Sequence, residues 1–147
     1  MIWLFLLAAL VAGVFITIQT GVNAQLAQWV KHPMLAALIS FMVGTSGLIL
    51  YTIALRIPLP QLSFVAQAPW WVWTGGLLGA FVVSAMTILA PKLGAALLVG
   101  TVMGGQILAS LVLDHYGLLG FTVRPINGWR VLGAVLLVAG VLLIRRF

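Results

Sequence analysis

Asp114 is the only acidic side chain in this 147-residue chain, and it is followed directly by His115, Tyr116 and Gly117. A carboxylate beside an imidazole can bind or pass a proton, because histidine as a residue type changes charge near neutrality. Asp114 and His115 are therefore candidates for coupling or gating. The same carboxylate, at the end of an apolar run, can instead pair with Arg124 or Arg130 and anchor a loop. Ionisable groups are functional by default only deeper in hydrocarbon, so both readings stand at this point.

A second group consists of amides. Gln19 and Asn23 are four residues apart, one helical turn, and so fall on one face of a helix. An amide carries donors as well as an acceptor. With Gln106 and Ser40 they are candidate substrate-binding residues, lining a polar cavity for an uncharged or anionic group. The alternative is interhelical glue, worth about 0.6 kcal/mol per bond in a membrane. At 1.5 Å per residue, Gln19 lies roughly 25 Å along its helix and Gln106 roughly 20 Å along one running the other way. Those depths differ within one subunit and approach each other between the subunits of an antiparallel pair.

Catalysis has little else to draw on. The sequence contains no paired carboxylates, no nucleophile with a spaced base and no phosphate-cradling glycine motif. The cysteine count is zero and the two histidines, His32 and His115, have no ligand spacing, which removes disulfides, thiolate chemistry and the usual metal sites. Asp114, His115 and Tyr116 form the one plausible acid/base group. The expectation is a protein that is not an enzyme and needs no cofactor or metal.

The elements that position these residues are membrane helices. The chain is 64% hydrophobic and 5% charged, with a mean hydropathy of +1.27, whereas a soluble domain is about a quarter charged. A hydrocarbon layer about 30 Å thick needs roughly 20 apolar residues. Runs of that kind cover about 2–30, 34–57, 70–90, 92–115 and 126–146, a single transmembrane domain of five helices. Continuous runs without period-two alternation exclude a barrel. The opening run from Ile2 to Ile18 outlasts a signal-peptide core and reads as a retained first span. Lys31-His32-Pro33 ends that span, and Pro33 suits the first position of the next helix. Pro58 and Pro60 open a loop that reaches Pro69. Trp70, Trp71 and Trp73 then suit an interfacial aromatic belt. Pro91-Lys92 reads as a tight connection, and Tyr116 to Pro125 as a second loop. The segments starting at Pro33 and Pro91 also read as a faint repeat of one hairpin.

The +6 net charge is scattered over span ends, which points to lipid headgroups and away from nucleic acid. Five spans put the termini on opposite sides. Arg56, Arg124 and Arg130 then lie on one side and Lys31, Lys92, Arg145 and Arg146 on the other, three against four of the seven cations. Orientation follows the Lys/Arg bias of short loops, so either insertion in both orientations or insertion in one orientation guided by other context is open. Small residues four apart, Gly75 with Gly79, Gly76 with Ala80, Ala80 with Ser84 and Gly100 with Gly104, mark close helix packing. Gly133 and Gly140 mark a further face and a candidate subunit contact.

Several pieces together are similar to a known family. Gly13 through Gln19 with Asn23, Pro33…Ser40-Phe41-x-x-Gly44-Thr45, Gly76-x-x-Gly79-Ala80, Pro91-x-Leu93-Gly94-Ala95-Ala96, Gly105-Gln106 and Asp114-His115-x-Gly117-Leu118-x-Gly120 run nearly the whole length. In this order they resemble the bacterial YdcZ-like family of the drug/metabolite transporter superfamily. Larger members of that superfamily have ten spans in two inverted halves. The resemblance therefore implies half of a ten-helix assembly: an antiparallel homodimer, or a heterodimer with a sister subunit, in the bacterial inner membrane. Small multidrug exporters, which also pair antiparallel, place a glutamate inside the first span for proton/cation exchange. This first span has no acid, so that mechanism is not expected here.

The leading expectation is a small dimeric inner-membrane transporter that moves an undefined small molecule by alternating access through a polar site at the subunit interface. A dimeric pore and a non-transporting scaffold subunit are the alternatives.

Overall fold

A computed structural model describes residues 2–60 and 63–147, apart from the side chains of residues 64 and 66. Among them are helices α1 (Ile2–Trp29), α2 (Pro33–Ala54), a short α3 (Ser63–Gln67), α4 (Thr74–Leu93), α5 (Ala95–Tyr116) and α6 (Gly128–Arg146). A 3-10 turn, Trp70–Trp73, leads into α4, so five segments are long and apolar enough to cross a membrane. Helices are the form such sequences take in lipid because each backbone N–H and C=O must be paired within the segment. Several hydroxyls are paired in the same way. Thr17, Thr20, Ser46, Thr52, Thr87 and Thr101 all donate to the carbonyl four residues earlier, at 2.7–3.1 Å.

Helix ends have identifiable causes. Lys31 takes a left-handed φ of 59° after α1. His32 then caps α2 by accepting from the Met34 N–H on Nδ1 at 3.2 Å, with Pro33 at the first helical position. The second span ends at Ala54, three residues before the expected Ile57. Arg56 turns left-handed, its N–H donates to the Ile53 carbonyl at 3.0 Å and the Ile57 N–H donates to Thr52 at 3.1 Å. That is a Schellman closure, followed by Pro58, which cannot continue a helix. The loop from Pro58 to Pro69 carries α3, and its residues 61 and 62 lie outside the described residues.

The third span corrects the expected boundary at Ala90. Pro91 lies inside α4, which continues to Leu93. A proline so near the C-terminus deprives only the Thr87 carbonyl of its donor and leaves the rest of the ladder intact. The break falls instead at Gly94, with φ 74° and ψ 163°, a region open in practice only to glycine. The repeat starting at Pro33 and Pro91 is therefore not mirrored in the helices: Pro33 opens one and Pro91 sits within another.

The chain divides into two compact units, the first ending at Lys92 and the second running Leu93–Phe147. In the first, α1 lies against α2, Ala36 and Ala37 are buried, and a Cβ on Gly79 would stand 3.7 Å from Phe41 Cζ. In the second, α5 packs on α6. Cβ atoms on Gly100 and Gly104 would meet Val141 Cγ2 at 3.0 Å and Leu137 Cδ2 at 3.6 Å. Position 100 opposite 141 and 104 opposite 137 is antiparallel register, one turn against one turn. Cβ atoms on Gly75, Gly76, Gly133 and Gly140 would meet nothing within 4 Å among the described residues. Large apolar side chains are exposed along every long helix.

Candidate functional site

At the C-terminal end of α5 the polar residues converge on one loop. The Gly117 N–H closes the helix onto the Leu113 carbonyl with φ 63°. A Cβ there would also stand 2.7 Å from Val123 Cγ2, so both backbone and space demand glycine. The chain then folds back: the Arg124 N–H donates to the Asp114 carbonyl at 2.7 Å, and the Ile126 N–H donates to His115 Nδ1 at 3.1 Å. Arg130 pairs with the Asp114 carboxylate through Nη2 and donates from Nη1 to the Arg124 carbonyl at 2.6 Å. Asn127 caps α6 by accepting from the Arg130 N–H at 3.0 Å. Asp114 and His115 thus each hold a strand of the same loop, and of the two arginines considered, Arg130 supplies the ion pair while Arg124 contributes its backbone. His115 and Tyr116 meet edge to face, with ring centroids 4.6 Å apart.

Other polar side chains are buried within the first unit: Thr20 and Asn23 on α1 and Ser84 and Thr87 on α4. Thr20 Oγ1 lies 4.0 Å from Met86 Sδ, which puts the two helices side by side at this level. Asn23 is 3% exposed and Thr87 2%. Gln19 is exposed although it lies one turn from Asn23. The helical wheel explains the difference: at about 100° per residue Asn23 falls between Gln19 and Thr20, and the buried arc covers 20 and 23 but stops short of 19. Ser40 is half-buried.

Gln106 is exposed. Counted from Ala95 it is about 16 Å along α5, the middle of a 22-residue helix. Inverting a second copy therefore hardly changes its depth, and the depth argument for pairing with Gln19 falls away. What remains is that both amides project from membrane helices with no hydrogen-bond partner among the described residues. Along α2, Ile39, Met42, Val43, Ser46, Gly47 and Leu50 line an apolar groove, and its one hydroxyl is already spent on the Met42 carbonyl.

Thr20, Ser84 and Thr87 were not singled out for chemistry from sequence. A signal existed: Thr20 and Asn23, like Ser84 and Thr87, are three residues apart and so share a face. Among the described residues no cluster of three or more His, Cys, Asp or Glu side chains could hold a metal.

Comparison with known proteins bears on what these features belong to. Residues 4–143 match the model of the family described as "Putative inner membrane exporter, YdcZ". The chain belongs to that family. It is similar to the inner membrane protein YdcZ of Escherichia coli (strain K12), with 29% identity over 145 residues, covering 97% of this chain and 93% of the relative. No solved structure matches. Family and helices agree on location: this is a multi-pass protein of the bacterial inner membrane.

Proposed function

We propose that the chain is one half of a dimeric transporter, moving a small molecule across the inner membrane by alternating access between two five-helix subunits of opposite orientation. Membership of an exporter family supports transport. Near-equal Lys/Arg counts on the two sides of five spans support insertion in both orientations, as do the inverted halves common in transporters. The partner is a second copy of this chain or a sister subunit, and no chemical step is required of either.

The observation that carries the dimer is the pair of outward amides, Gln19 on α1 and Gln106 on α5, exposed and unpartnered among the described residues. An amide facing hydrocarbon costs several kcal/mol, on the order of 4–8 by water-to-alkane transfer, so each needs a partner that a second subunit would bring. Gln19 of one subunit and Gln106 of the other then border the substrate path, while Asn23 and Ser40 would face it beside Gln19. Open glycines at positions 76 and 133 would let a second backbone approach closely. Asp114 and His115 serve this reading by holding the 117–127 loop, not by coupling a proton.

Cross-linking tests it. The natural chain lacks cysteine, so Gln19→Cys and Gln106→Cys copies can be co-expressed and oxidised in native membranes. A disulfide-linked dimer between the two different variants is expected, and none when Phe81→Cys, an exposed position on α4, replaces either. Monomer under all conditions would reject this interface.

A further inference from the structure

Asn23 is a polar side chain without a role in the packing that buries it. Interhelical glue would show as a bond from its amide to another helix, yet among the described residues Asn23 makes none. Every side-chain nitrogen or oxygen that is fully sealed among those residues has a partner. The amide of Asn23 is therefore not sealed: its stem is packed, and the small exposure that remains includes the amide tip. An amide held in this way, with its body fixed and its hydrogen-bonding atoms reachable, is arranged to meet a ligand.

We infer that Asn23, with Thr20 and Thr87, forms a binding site inside one subunit for an uncharged group that both donates and accepts hydrogen bonds, such as an alcohol or a primary amide. This names the substrate class of the transporter reading above and rests on it only for the word substrate. The inventory of hydrogen-bonding atoms sets the class. The Thr20 hydroxyl gives its proton to the Ile16 carbonyl at 2.9 Å and the Thr87 hydroxyl gives its own to Val83 at 2.8 Å, so both present lone pairs. Pro91, four residues after Thr87 within α4, has no N–H for the Thr87 carbonyl, which adds an acceptor at the level where α4 passes α1. Asn23 contributes one further acceptor and the two N–H donors. Acceptors outnumber donors, so a ligand lacking an O–H or N–H would leave them unmet.

Charge narrows the class further. The chain's single carboxylate, Asp114, is engaged by Arg130. Neither Thr20, Asn23, Ser84, Thr87 nor Met86 carries a charge. A cation entering here would lose its hydration with no anion to replace it. Met86, whose sulfur touches Thr20, gives one soft apolar wall, suited to the carbon skeleton of such a ligand.

The test places a thiol beside the amide and asks which reagent reaches it. Thr20→Cys, and separately Ser84→Cys in case the first folds poorly, are reacted in native membranes with methanethiosulfonates bearing hydroxyethyl, propyl or trimethylammonioethyl groups. Each rate is divided by that of the same reagent with free 2-mercaptoethanol, so that the thiolate fraction cancels between reagents. At position 20 the hydroxyethyl reagent is expected to outpace the propyl and the cationic ones by at least fivefold. At the exposed apolar control, Phe81→Cys, propyl should lead. Adding Asn23→Leu to Thr20→Cys should abolish the hydroxyethyl preference. The same order at positions 20 and 81, no reaction at 20 and 84, or a preference indifferent to Asn23→Leu would each overturn the site. Labelling needs no flux, so the two ideas fail separately. The expected labelling in a protein that moves no solute in proteoliposomes would keep the site and reject the transporter, and flux without the labelling preference would do the reverse.

Discussion

Replacing Gly117 by alanine should open the loop that joins α5 to α6, for two separable reasons. The left-handed backbone at this position, φ 63° and ψ 31°, costs an alanine roughly 1–2 kcal/mol. Its Cβ would also stand 2.7 Å from Val123 Cγ2, closer than carbon atoms approach, and relieving such overpacking costs about 1–3 kcal/mol. The sum is about 3 kcal/mol, which acts on the folded-back loop whose closure is reported by the Arg124 N–H bonded to the Asp114 carbonyl. Amide hydrogen exchange at Arg124 in detergent micelles is the assay. A factor of ten per 1.4 kcal/mol makes exchange roughly a hundredfold faster in Gly117→Ala. Adding Val123→Ala removes the clash but not the backbone cost, so the double variant should recover to about tenfold. Gly94→Ala is the companion control. Its φ is also positive, but nothing lies within 4 Å of the added carbon, so no neighbouring truncation should rescue it. Unchanged exchange in Gly117→Ala, or no recovery in the double variant, would refute the reasoning.

Arg130→Ala removes the ion pair to Asp114 and the bond to the Arg124 carbonyl. Both groups are partly exposed, so the loss sits at the low end of the 1.5–3 kcal/mol for charged hydrogen bonds, about 1.5 kcal/mol. It should speed exchange at Arg124 and Ile126 roughly tenfold while leaving α1 amides unchanged. Asn127→Ala loses the α6 cap, about 1 kcal/mol of stability, and should lower the thermal midpoint in detergent. Gly100→Leu should separate α5 from α6, since even a Cβ there meets Val141 at 3.0 Å, and destabilise by about 1–3 kcal/mol. Gly76→Leu should leave the subunit's own stability intact and, if position 76 faces a second copy, reduce cross-linking between positions 19 and 106. A single cysteine appended after Phe147 should be labelled by a membrane-impermeant maleimide in about half of the molecules in intact cells and in all after lysis. Labelling of all or none in intact cells would reject insertion in both orientations.

Much of the fold was legible because lipid leaves a chain few choices. Residues such as Leu4 to Ile16 have no polar side chain to satisfy and no water to satisfy the backbone, so they become helix regardless of what lies beside them. Pro33 after His32 was readable as a helix start for the equally local reason that a missing N–H costs nothing at that position. Boundaries failed where local signals compete. Pro91 looked like a break, yet near the end of α4 it removes only one bond, and the interruption falls at Gly94, whose backbone no other residue adopts comfortably. Likewise α2 stopped at Ala54 because Arg56 took a left-handed turn, a conformation that the residue type does not announce.

The candidate site was only half legible. Asp114 could be matched in advance with Arg124 or Arg130 because opposite charges at neighbouring span ends have few other partners, and the structure selects Arg130. That Gln19 and Asn23 part company, one outward and one buried, depends on a 40° difference in helical phase set against the edge of a packed arc, and Thr20 and Thr87 gained significance only from the helices that bury them. Hydropathy, span number and charge balance are sums over residues, fixed by the sequence alone through the cost of moving groups between water and lipid. Which polar atoms are left without a partner depends on the packing of α1 beside α4, because hydrogen bonds act over about 3 Å and helices fix their distances only when they meet.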